Sequence, residues 1–153
     1  MKLDGARVLV TGANGFVGGW VSRMLLNAGA EVTGLARNPH KNLALKLHMI
    51  DGEVVLRKCD ITDLKGVLKA VKGAKPDAVV HLAAQSSARV KDEGLQTYRV
   101  NVEGTANVLN ACAESGVQNV VVASTGKAYG EHGTHMVKEA DALIAQSMYG
   151  ASK

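Results

Sequence analysis

The chain has 153 residues, enough for one domain of ordinary size with a buried core. Hydrophobic residues make up 46% and charged residues 21%, a balance that excludes a disordered, collagen-like or membrane-bundle chain. The net charge of +4, from 18 basic and 14 acidic residues without a basic block, gives no support for nucleic-acid binding and suits small polyanions such as nucleotides.

Only two cysteines occur, Cys59 and Cys112, without disulfide or zinc spacing, which fits a reducing cytoplasm. The N-terminus has no apolar signal region, and no run of eighteen apolar residues exists, so secretion and a membrane partner are not expected. Low aromatic content with 17 glycines and many Val, Leu and Ala suits buried parallel strands joined by tight turns.

In chain order, Val8, Leu9 and Val10 read as a first strand, ending in the turn Thr11, Gly12, Ala13, Asn14, Gly15. Val17, Trp20, Val21, Met24, Leu25 and Ala28 then recur as the stripe of a helix packed on a sheet, and Gly29 closes it. Glu31 to Ala36 reads as a second strand, and a helical stretch carrying Leu43, Leu47 and Ile50 follows Pro39. Val54, Val55 and Leu56 form a third strand. Thr62 is the expected N-cap before the stripe Leu64, Val67, Leu68 and Val71.

Ala78 to Leu82 is a continuous apolar fourth strand, followed by a long helix with Val102, Ala106, Leu109 and Ala113 on the expected buried face and Gly116 as its stop. Asn119 to Ala123 is the fifth strand. Alternating strands and helices predict a Rossmann-type α/β domain over residues 1–153, with a doubly wound parallel sheet in the order 3-2-1-4-5. From Thr125 to Met148 the chain is polar and irregular, and a new helix is only beginning at Lys153.

The strongest local signal is Gly12, Gly15 and Gly18 between a strand and an amphipathic helix. Glycines there let backbone N–H groups approach a pyrophosphate at the positive end of the helix dipole. The alternative is a turn that is glycine-rich for packing alone. At the end of the second strand, Ala36, Arg37 and Asn38 stand where an acid would accept the ribose hydroxyls. NADP is therefore favoured, with NAD possible; Arg37, aided by His40 or Lys41, pairs with a 2′-phosphate or else belongs to a solvated basic turn.

Thr11 to Gly18 read TGANGFVG, and Tyr149 to Lys153 supply YxxxK. Between them lie DITD from Asp60, HLAAQ from His81, NVEGT from Asn101 and STGKAYG from Ser124. Together these six motifs, in register over nearly the whole chain, resemble the extended short-chain dehydrogenase/reductases, and HLAAQSS looks most like their nucleotide-sugar epimerase and dehydratase branch. The resemblance implies a homo-oligomeric enzyme acting on a nucleotide-sugar. It assigns catalysis to Thr125, Tyr149 and Lys153. It assigns cofactor contacts to Gly12, Asn14, Gly15, Phe16, Val17 and Gly18 in the loop, and to Arg37, Asp60, Ile61, Leu82, Ala83, Ala84, Asn101, Tyr149 and Lys153 beyond it.

The physics of that trio stands beside the resemblance. A tyrosine titrates near about 10 and needs a cation to ionise at neutral pH; Lys153, four residues from Tyr149, would share its helical face and favour the phenolate. Tyr149 then takes a proton from a sugar hydroxyl while hydride leaves the same carbon, and Thr125 holds that hydroxyl. Related dehydratases often carry acids just after the threonine position, where this chain has Gly126 and Lys127. Dehydration lacks its expected proton donor unless Lys127 serves, whereas epimerisation or reduction of a 4-ketosugar needs only hydride transfer and the tyrosine.

Other residues have plainer readings. Asp60 is alternatively the start of a helix cap, and Asn101 alternatively bonds locally. His81 packs at a strand end, Cys112 is core, and His132 with His135 in a loop makes no metal site. Arg89 and Arg99 reach a substrate diphosphate or remain surface charges. Because the family runs well beyond the YxxxK helix, the chain is expected to be the cofactor-binding portion of a larger enzyme that turns over sugar poorly alone. The alternative is a dinucleotide-binding module without turnover.

Overall fold

A computed structural model of the chain describes residues 2–86, 94–134 and 136–153. Arg89 and His135 lie outside the described residues. Five strands, β1 (Arg7–Thr11), β2 (Glu31–Ala36), β3 (Val55–Lys58), β4 (Ala78–His81) and β5 (Asn119–Val122), form one sheet in the order β3-β2-β1-β4-β5. Every pairing is parallel, with Val10 opposite Gly34 on one side and Val80 on the other. The expected order and Rossmann-type architecture are both present.

The helices are α1 (Phe16–Asn27), α2 (Leu43–Leu47), α3 (Leu64–Ala74), α4 (Gly94–Tyr98), α5 (Gly104–Glu114) and α6 (Met148–Ser152). A π-helical turn, Arg99–Glu103, joins α4 to α5, and a 3₁₀ turn, Gly126–Tyr129, follows β5. One core cluster includes Leu9, Leu35, Val67, Val71, Val79, Val108 and Cys112, from strands with α3 and α5. The other includes Val8, Val10, Val32, Leu45 and Val54, with Leu25 and Leu26 of α1 packed against it. Helices thus cover both faces of the sheet, as continuous apolar strands require. At the end away from the glycine loop, the Arg7 guanidinium bonds Asp77 at 2.8 Å, and this pair holds the Asp77 carboxyl down at about 2.

Several local expectations need correction. The large residues of the first stripe do not all face the sheet: Val17, Trp20, Met24 and Ala28 are exposed, while Gly18, Gly19 and Ser22 are buried. Small residues occupy the inner face because α1 lies too close to the glycine loop and to Ala44 for anything larger. Trp20 instead meets the His48 ring edge-on, with centroids 4.3 Å apart. The helical stretch after Pro39 ends at Leu47, and Met49 takes a left-handed φ of 54°, so Ile50 is buried beyond the helix.

Asp63, not Thr62, precedes the first turn of α3; the Thr62 hydroxyl is committed to Asp60. On α5 the expected face is the wrong one. Val102 and Leu109 are 44% and 43% exposed, whereas Val100, Asn101, Gly104, Asn107, Val108, Ala111 and Cys112 are buried. The inner face includes two asparagines, each with a dedicated partner, and a glycine against Ile61, so apolar content does not mark it. Among the described residues no helix is long and apolar enough to cross a membrane.

Candidate functional site

The site builds up at the C-terminal ends of the strands, where the connection from β1 goes to one side of the sheet and that from β4 to the other. In open parallel sheets this divergence opens a crevice for ligands. Gly12 leaves β1 with φ 71°. A Cβ there would stand 3.0 Å from the Ala83 nitrogen, so only glycine lets the β1 and β4 exits lie side by side. A Cβ on Gly18 would overlap the Gly12 carbonyl oxygen, so this glycine brings α1 tightly onto the loop. Gly15, with no side chain, caps α1, and the first-turn amides are left without a side-chain partner. The result is a cradle of backbone N–H groups at the positive end of a 12-residue helix.

Asn14 has a definite task. Its amide nitrogen donates to the carbonyls of Asn38 and Lys41 at 3.0 and 2.8 Å, fastening the loop after β2 to the glycine turn. That loop begins at exposed Arg37. Phe16 and Val17 are exposed beside the cradle, at 80% and 56%. Asp60, after β3, accepts from the backbone and hydroxyl of Thr62 at 3.0 and 2.9 Å. Burial pushes its carboxyl upward, but those bonds and the nearby Arg37 and Arg99 charges outweigh it and hold it below the ordinary carboxylate value. Arg99 also lies 3.6 Å from Glu103. Ile61 turns into the core against Gly104, and its carbonyl accepts from Asn107 at 3.0 Å.

At the β4 exit, the amides of Leu82 and Ala83 both donate to Thr11 Oγ1 at 3.1 Å. Ala84 leads to Gln85, whose N–H donates to Asn101 Oδ1 at 2.7 Å and whose carbonyl accepts from Asn101 Nδ2 at 3.2 Å. Asn101 is 2% exposed, and its Nδ2 also donates to Ser152 Oγ at 2.9 Å. Its bonds are therefore long-range, tying the β4 exit to α6. Ser152 in turn donates to the Tyr149 carbonyl at 2.8 Å.

Tyr149 and Lys153 are one turn apart on α6 and at its C-cap, both half-buried. Ser147 accepts from the Gly150 amide and starts the helix. Gly150 sits against the Lys127 carbonyl, which seats α6 on the 3₁₀ turn that Thr125 caps. Ser124, beside Thr125, reaches the Lys153 carbonyl at 3.5 Å. Burial lowers the Lys153 ammonium below its ordinary value, and its charge is felt by His81. Burial, with that charge, takes His81 down to about 4. Thr125, Tyr149 and Lys153 therefore gather at the same strand ends as the glycine cradle. Among the described residues no group of three or more His, Cys, Asp or Glu is placed to hold a metal.

Thr11, Thr105, Gln85 and Ser152 are the site residues that motif reading left without roles. Each lies inside or beside a recognised motif, which was the available signal, but each makes a hydrogen bond that reaches 16 to 72 residues along the chain.

The family model described as GDP-mannose 4,6 dehydratase matches residues 9–153. Cinnamoyl-CoA reductase 1 of Oryza sativa subsp. japonica is 37% identical over 145 residues, which cover 93% of this chain and 40% of that protein. GDP-mannose 4,6 dehydratase of Homo sapiens is 31% identical over 158 residues, covering 95% and 42%. The UDP-glucose 4-epimerase of Thermus thermophilus, solved as a complex with NAD, superposes with a TM-score of 0.84 at 36% identity, covering 96% of this chain and 47% of that one. The chain spans less than half the length of these relatives. With that family's match covering all but the first eight residues, the chain belongs to the GDP-mannose 4,6 dehydratase family, among the extended short-chain dehydrogenase/reductases.

Proposed function

We propose that the chain is the dinucleotide-binding part of an NAD(P)-dependent enzyme that transfers hydride at a carbon of a nucleotide-sugar, as an epimerase or 4-ketosugar reductase. One observation carries this reading. The uncapped N-terminus of α1, closed by Gly12 and Gly18, stands at the C-terminal end of the sheet, the end to which Asn101 and Ser124 tie the helix that carries Tyr149 and Lys153. The cradle suits a pyrophosphate, because the first-turn amides of α1 have no side-chain cap and stand at the positive end of the helix. A nicotinamide bound there supplies the hydride acceptor or donor.

The chain's own residues do the rest. The first-turn amides of α1 hold the diphosphate, Arg37 pairs with a 2′-phosphate, and Asn14 keeps the Arg37 loop in place. NADP is thus preferred over NAD. The Tyr149 hydroxyl removes or returns the substrate proton, Thr125 orients the substrate oxygen, and the half-buried Lys153 ammonium supports negative charge on the tyrosine oxygen. Gly126 and Lys127 put no carboxyl at the positions where elimination draws its acid, so dehydration is disfavoured. Reduction of a carbonyl outside the sugars is a second reading, favoured by 34–37% identity to cinnamoyl-CoA reductases.

The test is turnover of nucleotide-hexoses and their 4-keto forms with NADP(H) by the chain joined to the remaining length that its relatives carry, in the wild type and in Tyr149→Phe. The substitution is expected to lower kcat about 10²- to 10⁴-fold while cofactor affinity stays within about twofold. Equal rates overturn the tyrosine mechanism. Cofactor binding without turnover of any of these substrates favours the non-catalytic dinucleotide module instead.

A further inference from the structure

The crevice is underlaid by a buried polar chain whose donors and acceptors can be counted. His81 ends β4 and is 1% exposed. Its Nδ1 lies 2.7 Å from Thr11 Oγ1, and its Nε2 lies 3.0 Å from Thr105 Oγ1. Thr105 Oγ1 is 2.5 Å from the Asn101 carbonyl oxygen, which only accepts, so the one hydroxyl proton of Thr105 is spent there. Thr105 must then accept from His81, which puts the ring proton on Nε2.

Nδ1 is left as an acceptor, and the Thr11 hydroxyl donates to it. The remaining acceptor capacity of Thr11 Oγ1 takes the amides of Leu82 and Ala83, both at 3.1 Å, with the Leu82 amide shared with the Thr11 carbonyl at 3.2 Å. Every group in the chain is then satisfied, and no donor meets a donor. A proton on Nδ1 would leave Thr11 accepting a third bond with its own proton unplaced, in a site closed to water.

We propose that His81, held as the neutral Nε2–H tautomer, is a positioning residue that couples the Leu82–Ala83 floor beneath Gly12 to the Asn101 turn anchoring α6. The consequence for cofactor binding rests on the dinucleotide reading above; the tautomer and the coupling do not. One ring thereby sets the distance between the surface that carries the diphosphate and the helix that carries Tyr149 and Lys153.

Long-range proton–nitrogen NMR of the wild-type ring at neutral pH is expected to show a protonated Nε2 and a bare Nδ1. An Nδ1–H or doubly protonated ring overturns the proposal, and this arm needs no variant to fold. Two substitutions then divide the ring. His81→Asn keeps an acceptor near the Nδ1 position for Thr11 but cannot reach Thr105; His81→Gln reaches Thr105 but offers Thr11 nothing.

His81→Asn is expected to leave amide exchange at Leu82 and Ala83 and the NADP Kd within about twofold, while exchange around Asn101 and Ser152 rises about tenfold. His81→Gln is expected to reverse the pattern, with faster exchange at Leu82 and Ala83 and an NADP Kd weakened about tenfold. Identical exchange behaviour in the two variants means the ring only fills space, and the proposal fails. A wild type that does not bind NADP refutes the dinucleotide reading, while the tautomer and exchange arms still decide this one.

Discussion

His81 shows how much of a site a single residue can govern. The ring is buried where a charge would lack water, and Lys153 adds repulsion, so its value falls from 6.5 to about 4. A folded-state value below the unfolded one makes stability fully present above pH 6.5 and lost as pH falls through about 4. The loss amounts to about 3 kcal/mol at most. Urea unfolding at a series of pH values is expected to show this decline, and His81→Asn to flatten it. Asp60, whose carboxyl lies below the ordinary 3.8, adds its own loss below that window. A wild type and a variant with equal slopes between pH 6.5 and 4 would contradict the account.

At this scale the sequence was legible where chemistry follows from local spacing. Gly12 and Gly18 make the tight strand-to-helix turn that their spacing implies. The burial of His81 at a strand end was also legible, but its partners were not, because Thr11 lies 70 residues away and Thr105 lies 24. Asp60 receives the Thr62 bonds of a turn, and the Arg37 and Arg99 charges still act on its carboxyl.

Among the elements, strands were easier to read than helix faces. The five apolar runs match β1 to β5 within two residues, the covered strands β1, β2 and β4 and the exposed edge strands β3 and β5 alike. Helix faces depend on phase and on close approach. In α1 the inner face is Gly18, Gly19 and Ser22, and in α5 it includes Asn101 of the preceding π turn, Gly104 and Asn107. In both cases an apolar stripe takes in exposed residues and misses the small or polar ones that pack inward.

The α5 phase is open to direct test. Val108 is fully buried and Leu109, its neighbour, is 43% exposed. Val108→Ala is expected to cost about 2 kcal/mol and Leu109→Ala less than about 1 kcal/mol, measured by chemical denaturation. The reverse ranking would restore the face that apolar content suggests.

For the whole molecule, the strand order was predictable because right-handed crossovers between alternating strands and helices leave few arrangements. That order places the β1 and β4 exits side by side, and the rest of the site follows from it. The glycine cradle, the Arg37 loop tied by Asn14, and α6 seated through Asn101 and Gly150 all meet at one end of the sheet. The β5 edge at the opposite side from β3 exposes Val121 and Val122. Relatives more than twice as long match nearly all of this chain, so the described sheet corresponds to one part of their structure.

Calorimetric titration of the chain with NADP and with NAD, in the wild type and in Arg37→Ala, tests the central claim most directly. The account predicts saturable binding of both, with NADP tighter by about tenfold and the preference abolished in Arg37→Ala, the loss expected for one charge-assisted phosphate contact. Preference for NAD in the wild type would remove Arg37 from the cofactor site. Binding of neither by a correctly folded chain would contradict the assignment of the glycine cradle to a dinucleotide.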